Sequence, residues 1–303
     1  MDIFYHKLTE KLGEEAVLRD EPLSRHTSFK IGGPARYFID VCDAEDIKYT
    51  VSLCREMNVP FAILGNGSNL LVSDEGYDGA IICLAKGMRE VKAEGERIYA
   101  KAGALLSVIA REAQKNSLTG FEFAGGIPGT LGGAVVMNAG AYGGEMVQVI
   151  ESVDVITKDG DYVTLRNEEL GFGYRTSVVP AKEYIVIGAT IKLTKAEDKE
   201  AIMDTMKELL AKRKAKQPLE YPSAGSTFKR PEGYFAAKLI EDAGLKGFGI
   251  GGAYVSEKHS GFVVNKGKAT AKDVLMVIEH VQKEVWNQFE VKLEPEVKML
   301  GFN

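Results

Sequence analysis

Apolar positions fall in short runs whose spacing switches repeatedly between the period of a helix and that of a strand. Ile3, Leu8 and Leu12 share one side of a predicted helix over 3–13. A strand is predicted over 35–41, after the turn Gly32-Gly33-Pro34. Asp43 predicts the cap of a helix reaching Met57, with acidic residues in its first turn. Residues 61–64, 70–72 and 79–84 read as short buried strands. A hairpin over 90–101 turns at Gly95 and leads into a helix over 105–116, with Leu105, Leu106, Ile109 and Ala113 on one face. Residues 149–156 and 162–165 form a second predicted hairpin across Asp159-Gly160, and 184–193 a further strand. This is an α+β pattern, without the regular strand–helix alternation of a doubly wound sheet.

A charged helix is predicted over 196–216, ending in Lys212, Arg213, Lys214 and Lys216. Two readings stand for that basic end. It is a solvated face that suits the helix C-terminus, or one or two of its cations reach an anionic substrate. Residues 217–222, with Pro218 and Pro222, break the helix and mark a boundary. Beyond it the pattern predicts a helix over 234–242, strands near 253–255 and 261–264, a helix over 271–288 and a final alternating strand over 291–297.

One stretch departs from all of this. Residues 120–145 hold glycine at 120, 125, 126, 129, 132, 133, 140, 143 and 144, with Pro128 among them. Each glycine costs a regular element about 0.5–1 kcal/mol relative to alanine, so the run serves something other than regular structure. Bare N–H groups in glycine turns form nests that hold phosphate oxygens. A linker would be polar, whereas Phe121, Phe123, Ile127, Leu131, Val135, Val136 and Met137 are interleaved here. A phosphate-bearing cofactor lying on the loop is the functional reading. A second amide-rich loop, Gly65-Asn66-Gly67-Ser68-Asn69, joins two apolar strands and reads equally as an anion cradle or a hairpin turn. Residues 247–252 match G-x-G-x-x-G, but the β-prone Ala253-Tyr254-Val255 follows where a dinucleotide fingerprint requires a helix.

Composition narrows the class. With 303 residues, 45% hydrophobic and 27% charged, the chain is globular and long enough for two or three domains. A net charge of −5 argues against a general nucleic-acid or anionic-membrane surface. Cys42, Cys54 and Cys83 form no Cys-x-x-Cys, and His6, His26, His259 and His280 never pair at ligand spacing, so no metal site or disulfide framework is expected. The first residues contain no apolar core of a signal peptide, and no run approaches the ~20 residues of a membrane span. The expectation is a reduced, cytoplasmic protein.

Three polar residues stand in unusual settings. Arg175 follows Gly171-Phe172-Gly173-Tyr174 and reads as a carboxylate or phosphate clamp, or as a surface arginine. Ser226 lies among small residues in 222–228, with Phe228 as an apolar wall. It has no G-x-S-x-G elbow, so a turn serine and a ligand-facing serine both stand. Glu296 follows Pro295 in the last predicted strand, as a rim or a site carboxylate.

Taken together, HTSFKIGGPA at 26–35, ILGNGSNLLVSD at 63–74, AGGIPGTLGGAVVMNAGAYG at 124–143, FGYRTS at 172–177, PSAGSTFK at 222–229, AAKLIEDAGLKG at 236–247 and LEPEVK at 293–298 resemble the UDP-N-acetylenolpyruvoylglucosamine reductases, in order and from about Leu23 to Leu300. The resemblance implies an FAD-binding fold of two α+β subdomains of the vanillyl-alcohol-oxidase (PCMH) type, plus a C-terminal α+β substrate-binding domain. It places the first subdomain at 1–85, the second at 86–195 and the substrate domain at 196–289, with 290–303 returning toward the site. Gly65, Asn66, Gly67, Ser68, Asn69, Gly125, Gly126, Ile127, Gly129, Thr130, Gly132, Gly133, Asn138, Gly140 and Ala141 would hold noncovalent FAD. Arg175, Ser226 and Glu296 would be the catalytic set. Between FGYRTS and the next strand stand only residues 178–183, so the chain is similar to the shorter branch, which lacks an inserted tyrosine-bearing segment.

The activity implied is a two-stage exchange. NADPH gives hydride to the flavin, and the enolpyruvyl ether of UDP-N-acetylglucosamine takes hydride from it to become UDP-N-acetylmuramate for peptidoglycan. Arg175 would hold the charge that spreads into the carboxylate, Ser226 would deliver the proton, and Glu296 would orient the site or share a proton. The implied partners are the UDP-sugar and NADPH, with no nucleic acid or membrane, and a monomer is expected. Two other functions stay open: a different FAD oxidoreductase of the same fold, and a nucleotide-sugar-binding protein without activity.

Overall fold

In the computed structural model, which describes residues 2–302, the chain weaves between two units. The first takes the residues up to Arg19, 37–66 and 79–213. The second takes 20–36, 67–78 and the chain from Lys214 onward.

The first unit is built on a five-stranded antiparallel sheet in the order Tyr162–Arg166, Ile150–Ile156, Ile185–Lys192, Arg97–Lys101, Val91–Glu94. Both expected hairpins are present, the first turning at Gly95 with φ 61°. Ile98, Ala100, Val153, Val155, Ala189 and Ile191 point into the core, while Arg97 and Tyr99 alternate outward, as period-two side chains must. Helix Leu106–Lys115 buries Leu106, Ile109, Ala110 and Ala113 in the same core. Truncating the fully buried Ile109 to alanine would cost about 2–5 kcal/mol. Phe61–Leu64 runs parallel to Tyr77–Cys83, with Ile63 opposite Ile82. Helix Ala44–Glu56 starts where expected, and the Asp43 carboxylate accepts the Asp46 N–H at 2.9 Å. Helix Ile3–Leu12 differs from its expected face. It buries Phe4 and Leu8, and Ile3 is 59% exposed. Phe4 packs on the Tyr37 ring at 4.7 Å, an aromatic partner no local pattern announces.

The second unit has its own core of Phe29, Ile31, Leu71, Phe228, Ile240, Val255, Val263 and the apolar side of helix Ala271–Phe289. That helix buries Val274, Val277, Ile278, Val281 and Val285, the three-and-four spacing of one face. Its start is over-determined. Thr270 and Asp273 form a capping box, and the Asp74 carboxylate takes the N–H groups of Ala271 (2.8 Å) and Lys272 (3.1 Å). Gly249–Ile250, Ala253–Val255 and Val263–Asn265 make a three-stranded antiparallel sheet. The G-x-G-x-x-G match at 247–252 is therefore a hairpin corner, with Gly251 at φ 55°. The last strand is Lys298–Leu300, parallel to Leu70–Val72, instead of the expected 291–297. Pro295 has no N–H to give a ladder and makes a single bridge, to Phe228.

Candidate active site

Residues 65–69 do not close a hairpin. Phe61–Leu64 and Leu70–Val72 belong to different sheets, so the loop carries the chain from the first unit into the second. On the first-unit side, Asn66 Nδ2 donates to the Pro128 carbonyl at 2.6 Å, and a Cβ on Gly65 would collide with Thr130 Oγ1. Gly65 is thus required by the approach of the 125–133 loop. Gly67, Ser68 and Asn69 fall in the second unit. There the Gly67 carbonyl accepts the Ser28 N–H at 3.0 Å.

The 125–133 loop is held at its edges. Ile127 N–H donates to the Ala124 carbonyl, Leu106 N–H to Gly129, and Gly132 N–H to Ala102. Arg213 Nη1 donates to the Gly126 carbonyl, so of the four basic residues of 212–216 this one lies on the loop. Burial holds the Arg213 guanidinium below the ordinary arginine range. Among the described residues, the N–H groups of Gly126, Gly129, Thr130 and Gly133 donate to no protein acceptor, although Thr130 is buried. Buried backbone donors are nearly always paired. A Cβ on Gly133 would meet nothing nearer than Thr130 Oγ1 at 3.8 Å. Unengaged amides beside open space fit the diphosphate of FAD.

Downstream, Gly140–Ala141 pairs with Gly144–Glu145 across Tyr142-Gly143, both at positive φ, the two-residue turn of a tight hairpin. Asn138 is buried and ties this hairpin to Arg175. Its Nδ2 donates to Glu145 Oε2 (2.9 Å) and to the Gly173 carbonyl (3.1 Å), and its Oδ1 accepts the Val147 N–H (2.9 Å). Tyr174 and Arg175 form the tip of a turn closed by reciprocal Gly173–Thr176 hydrogen bonds. Arg175 sits at φ 56°, a conformation that costs a non-glycine residue about 1–3 kcal/mol and clusters at functional sites. Its guanidinium lies 5.3 Å from the Tyr174 ring centroid, with Nη2 3.5 Å from the Gly140 carbonyl.

In the second unit the residue after Ser226 pairs through its backbone with Glu296. Thr227, next to Ser226, offers its carbonyl to the Glu296 N–H at 2.8 Å, and Lys229 N–H reaches the Glu294 carbonyl at 2.8 Å. Asn69 Nδ2 donates to the Glu296 carbonyl at 3.2 Å. Ser28 Oγ fixes the other end of the serine segment at the Ser223 carbonyl, 2.7 Å away. The serine segment is therefore held by two sequence-distant stretches, at Ser28 and at 294–296, the latter itself held by Asn69, with Ser226 exposed. Ser28 of HTSFKIGGPA and Asp74 of ILGNGSNLLVSD were not expected to take part; each serves a distant segment, so no neighbour in sequence marks it.

The chain is similar to known proteins over nearly its whole length. Residues 35–166 match the family described as FAD binding domain, and 217–300 the family described as UDP-N-acetylenolpyruvoylglucosamine reductase, C-terminal domain. The UDP-N-acetylenolpyruvoylglucosamine reductase of Clostridium perfringens (strain SM101 / Type A) is 55% identical, covering 98% of this chain and 97% of its own. That of Clostridium botulinum (strain Hall) is 53% identical over the same shares. The crystal structure of UDP-N-acetylenolpyruvylglucosamine reductase from Thermus caldophilus superposes with a TM-score of 0.80 at 39% identity, covering 94% of this chain and 98% of that one. An alkyldihydroxyacetonephosphate synthase structure shares the fold alone, at TM-score 0.50 and 17% identity over 64% of this chain and 44% of that one. The fold is the PCMH-type FAD-binding fold followed by an α+β C-terminal domain, and on identity across nearly its whole length the chain belongs to the UDP-N-acetylenolpyruvoylglucosamine reductase family.

Proposed function

We propose that this chain reduces the enolpyruvyl ether of UDP-N-acetylglucosamine to UDP-N-acetylmuramate, a step of peptidoglycan precursor synthesis, with FAD bound noncovalently and NADPH as hydride donor. The observation that carries this is 55% identity to a reductase of that name over 98% of the chain. Bound FAD supplies hydride transfer between the nicotinamide and the terminal carbon of the enolpyruvyl group.

The chain's own residues do the rest. The amides of residues 125–133 and the loop at 65–69 hold the cofactor's diphosphate. Arg175 faces the substrate carboxylate with two parallel N–H groups and stabilises charge as it spreads there. Ser226 Oγ gives its proton to the carbon adjacent to the one that receives hydride, so hydride and proton add across one double bond. Glu296 orients the site beside Ser226. In this reading residues 1–85 and 86–195 carry the flavin, 196–289 carry the UDP-sugar, and 290–303 return to complete the site. The protein works as a cytoplasmic monomer.

The test is steady-state NADPH consumption by purified protein with and without the enolpyruvyl substrate. Substrate-dependent NADPH oxidation with UDP-N-acetylmuramate as product is expected. Flavin-bound protein that consumes no NADPH on substrate addition would overturn the assignment.

A further inference from the structure

His259 has no part in the reaction as proposed above. It lies in the loop between the strands Ala253–Val255 and Val263–Asn265, half-buried, its ring edge-on to Phe262 with centroids 4.9 Å apart. Its Nδ1 faces the backbone N–H of Gly261 at 3.2 Å. A backbone N–H can only donate, so Nδ1 carries no proton and the ring hydrogen sits on Nε2. The Gly261 carbonyl accepts the Thr227 N–H at 2.8 Å, and the Thr227 carbonyl accepts the Glu296 N–H at 2.8 Å. One line of hydrogen bonds thus runs from the imidazole to the residue after Ser226 and on to Glu296.

The backbone of this loop is otherwise held by hydroxyl and backbone contacts, with two ion pairs, Lys258–Glu220 (3.7 Å) and Lys266–Glu257 (3.5 Å), reaching its side chains. Ser256 Oγ accepts the N–H groups of Lys258 (3.2 Å) and His259 (3.3 Å), Ser260 Oγ donates to the Ala237 carbonyl, and Phe262 N–H donates to the His259 carbonyl. Of these contacts to the loop's backbone, the imidazole's is the one made by a titratable side chain. Thr227 is also gripped through its side chain, where Oγ1 accepts the Val263 N–H at 2.9 Å. Among the described residues no group bonds the Ser226 side chain in this way, so Ser226 depends on the backbone that follows it.

We propose that neutral His259 is a positioning residue for Ser226, holding Gly261 and through it Thr227, so that protonation of the imidazole releases the proton donor from its working geometry. The proposal rests on the reaction assigned above. The groups around the ring set the direction of the switch. Burial disfavours the imidazolium most strongly. Lys246, which follows helix Ala236–Asp242, and Lys216, which ends helix Lys199–Lys216, repel it, while a hydrogen bond to the residue's own backbone and the Glu241 carboxylate favour it. Lys258 and Glu257 lie on the same loop. The net effect lowers the imidazole below its ordinary 6.5. The Gly261 contact is therefore complete at neutral pH and is lost as pH falls through that lowered value.

The experiment compares wild type, His259→Ala and His259→Asn by rapid mixing. It measures flavin reduction by NADPH separately from oxidation of the reduced protein by the enolpyruvyl substrate, from about pH 5.5 to 8. Asparagine places an acceptor oxygen where Nδ1 stands and does not titrate. His259→Ala should slow the substrate half by about tenfold or more, the scale expected for a misplaced catalytic group, with flavin reduction unchanged. His259→Asn should restore most of that rate and lose the acid limb seen in wild type. Nitrogen-15 NMR of the imidazoles should show an unprotonated Nδ1 on His259 at neutral pH. The proposal fails if His259→Ala oxidises at the wild-type rate, if it slows both halves equally, if His259→Asn keeps the acid limb, or if Nδ1 is protonated. Wild type that cannot pass hydride to the enolpyruvyl substrate would instead overturn the reaction itself.

Discussion

Glu296 donates its backbone N–H to the carbonyl of Thr227 at 2.8 Å. That contact sets the backbone of the closing LEPEVK motif beside that of PSAGSTFK, and the Asn69 amide on the Glu296 carbonyl adds the end of the glycine–asparagine loop. Three motifs far apart in the chain share one small region of backbone. Ser226 itself is exposed.

Ser226→Ala separates the two stages. Reducing the flavin with NADPH needs no proton from a protein acid, whereas reducing the enolpyruvyl carbon does. Loss of a general acid costs about 10²–10⁴-fold. Rapid mixing should show normal flavin reduction and at least about hundredfold slower oxidation by substrate. A cysteine at this position should recover part of the rate. Equal slowing of both halves would make Ser226 a structural residue.

Arg175→Lys keeps the charge and the backbone conformation but loses the bidentate fork. Turnover should fall about a hundredfold or more, as when a preorganised donor to developing charge is removed. Flavin content should stay at wild-type level, because the Asn138 bond to the Gly173 carbonyl that holds the turn is untouched. Near-normal turnover would return Arg175 to the surface.

Gly133→Ala tests the diphosphate placement without damaging the fold. The added Cβ meets no protein atom closer than 3.8 Å, and alanine favours helix Leu131–Val136 by about 1 kcal/mol. The methyl instead enters the space beside the unengaged amides. Overpacking of about 1–3 kcal/mol corresponds to roughly five- to 150-fold weaker FAD binding. Titration of flavin-free protein with FAD should show that loss while the flavin-free melting temperature holds or rises. Wild-type affinity in Gly133→Ala would remove this loop from the phosphate site.

Thiol chemistry should divide the three cysteines. Burial pushes Cys54 up to about 12 and Cys83 up to about 11, while Cys42 is exposed. Thiolate is the reactive form, so alkylation of folded protein at about pH 8, below the ordinary cysteine pKa, should modify Cys42 alone. All three should react after denaturation. The same shifts lower stability as pH climbs from 9.0 toward those values, since the unfolded chain releases protons that the folded chain keeps. Rapid labelling of Cys54 in folded protein would contradict its burial.

Much of this protein was legible in its residues, because the signals concerned were local. Asp43 capped the helix it was expected to cap, the apolar face of helix Leu106–Lys115 was read from its spacing, and Ala253-Tyr254-Val255 exposed the false dinucleotide motif. The two glycine-rich loops stood out because glycine is costly where regular structure is wanted. What pairs with what was decided elsewhere. No local pattern announced that Asp74 would cap the helix beginning at Ala271, that Phe4 rather than Ile3 would be buried, or that Gly65 is glycine because Thr130 approaches it. The last strand lies at Lys298–Leu300 because its parallel partner is Leu70–Val72, and because Pro295 cannot donate to a ladder at the earlier position. Caps, turns and apolar faces depend on neighbours within a few residues and can be read in order along a chain. Strand partners and the backbone around Ser226 depend on which distant segments close together, and that is settled by the packing of the whole.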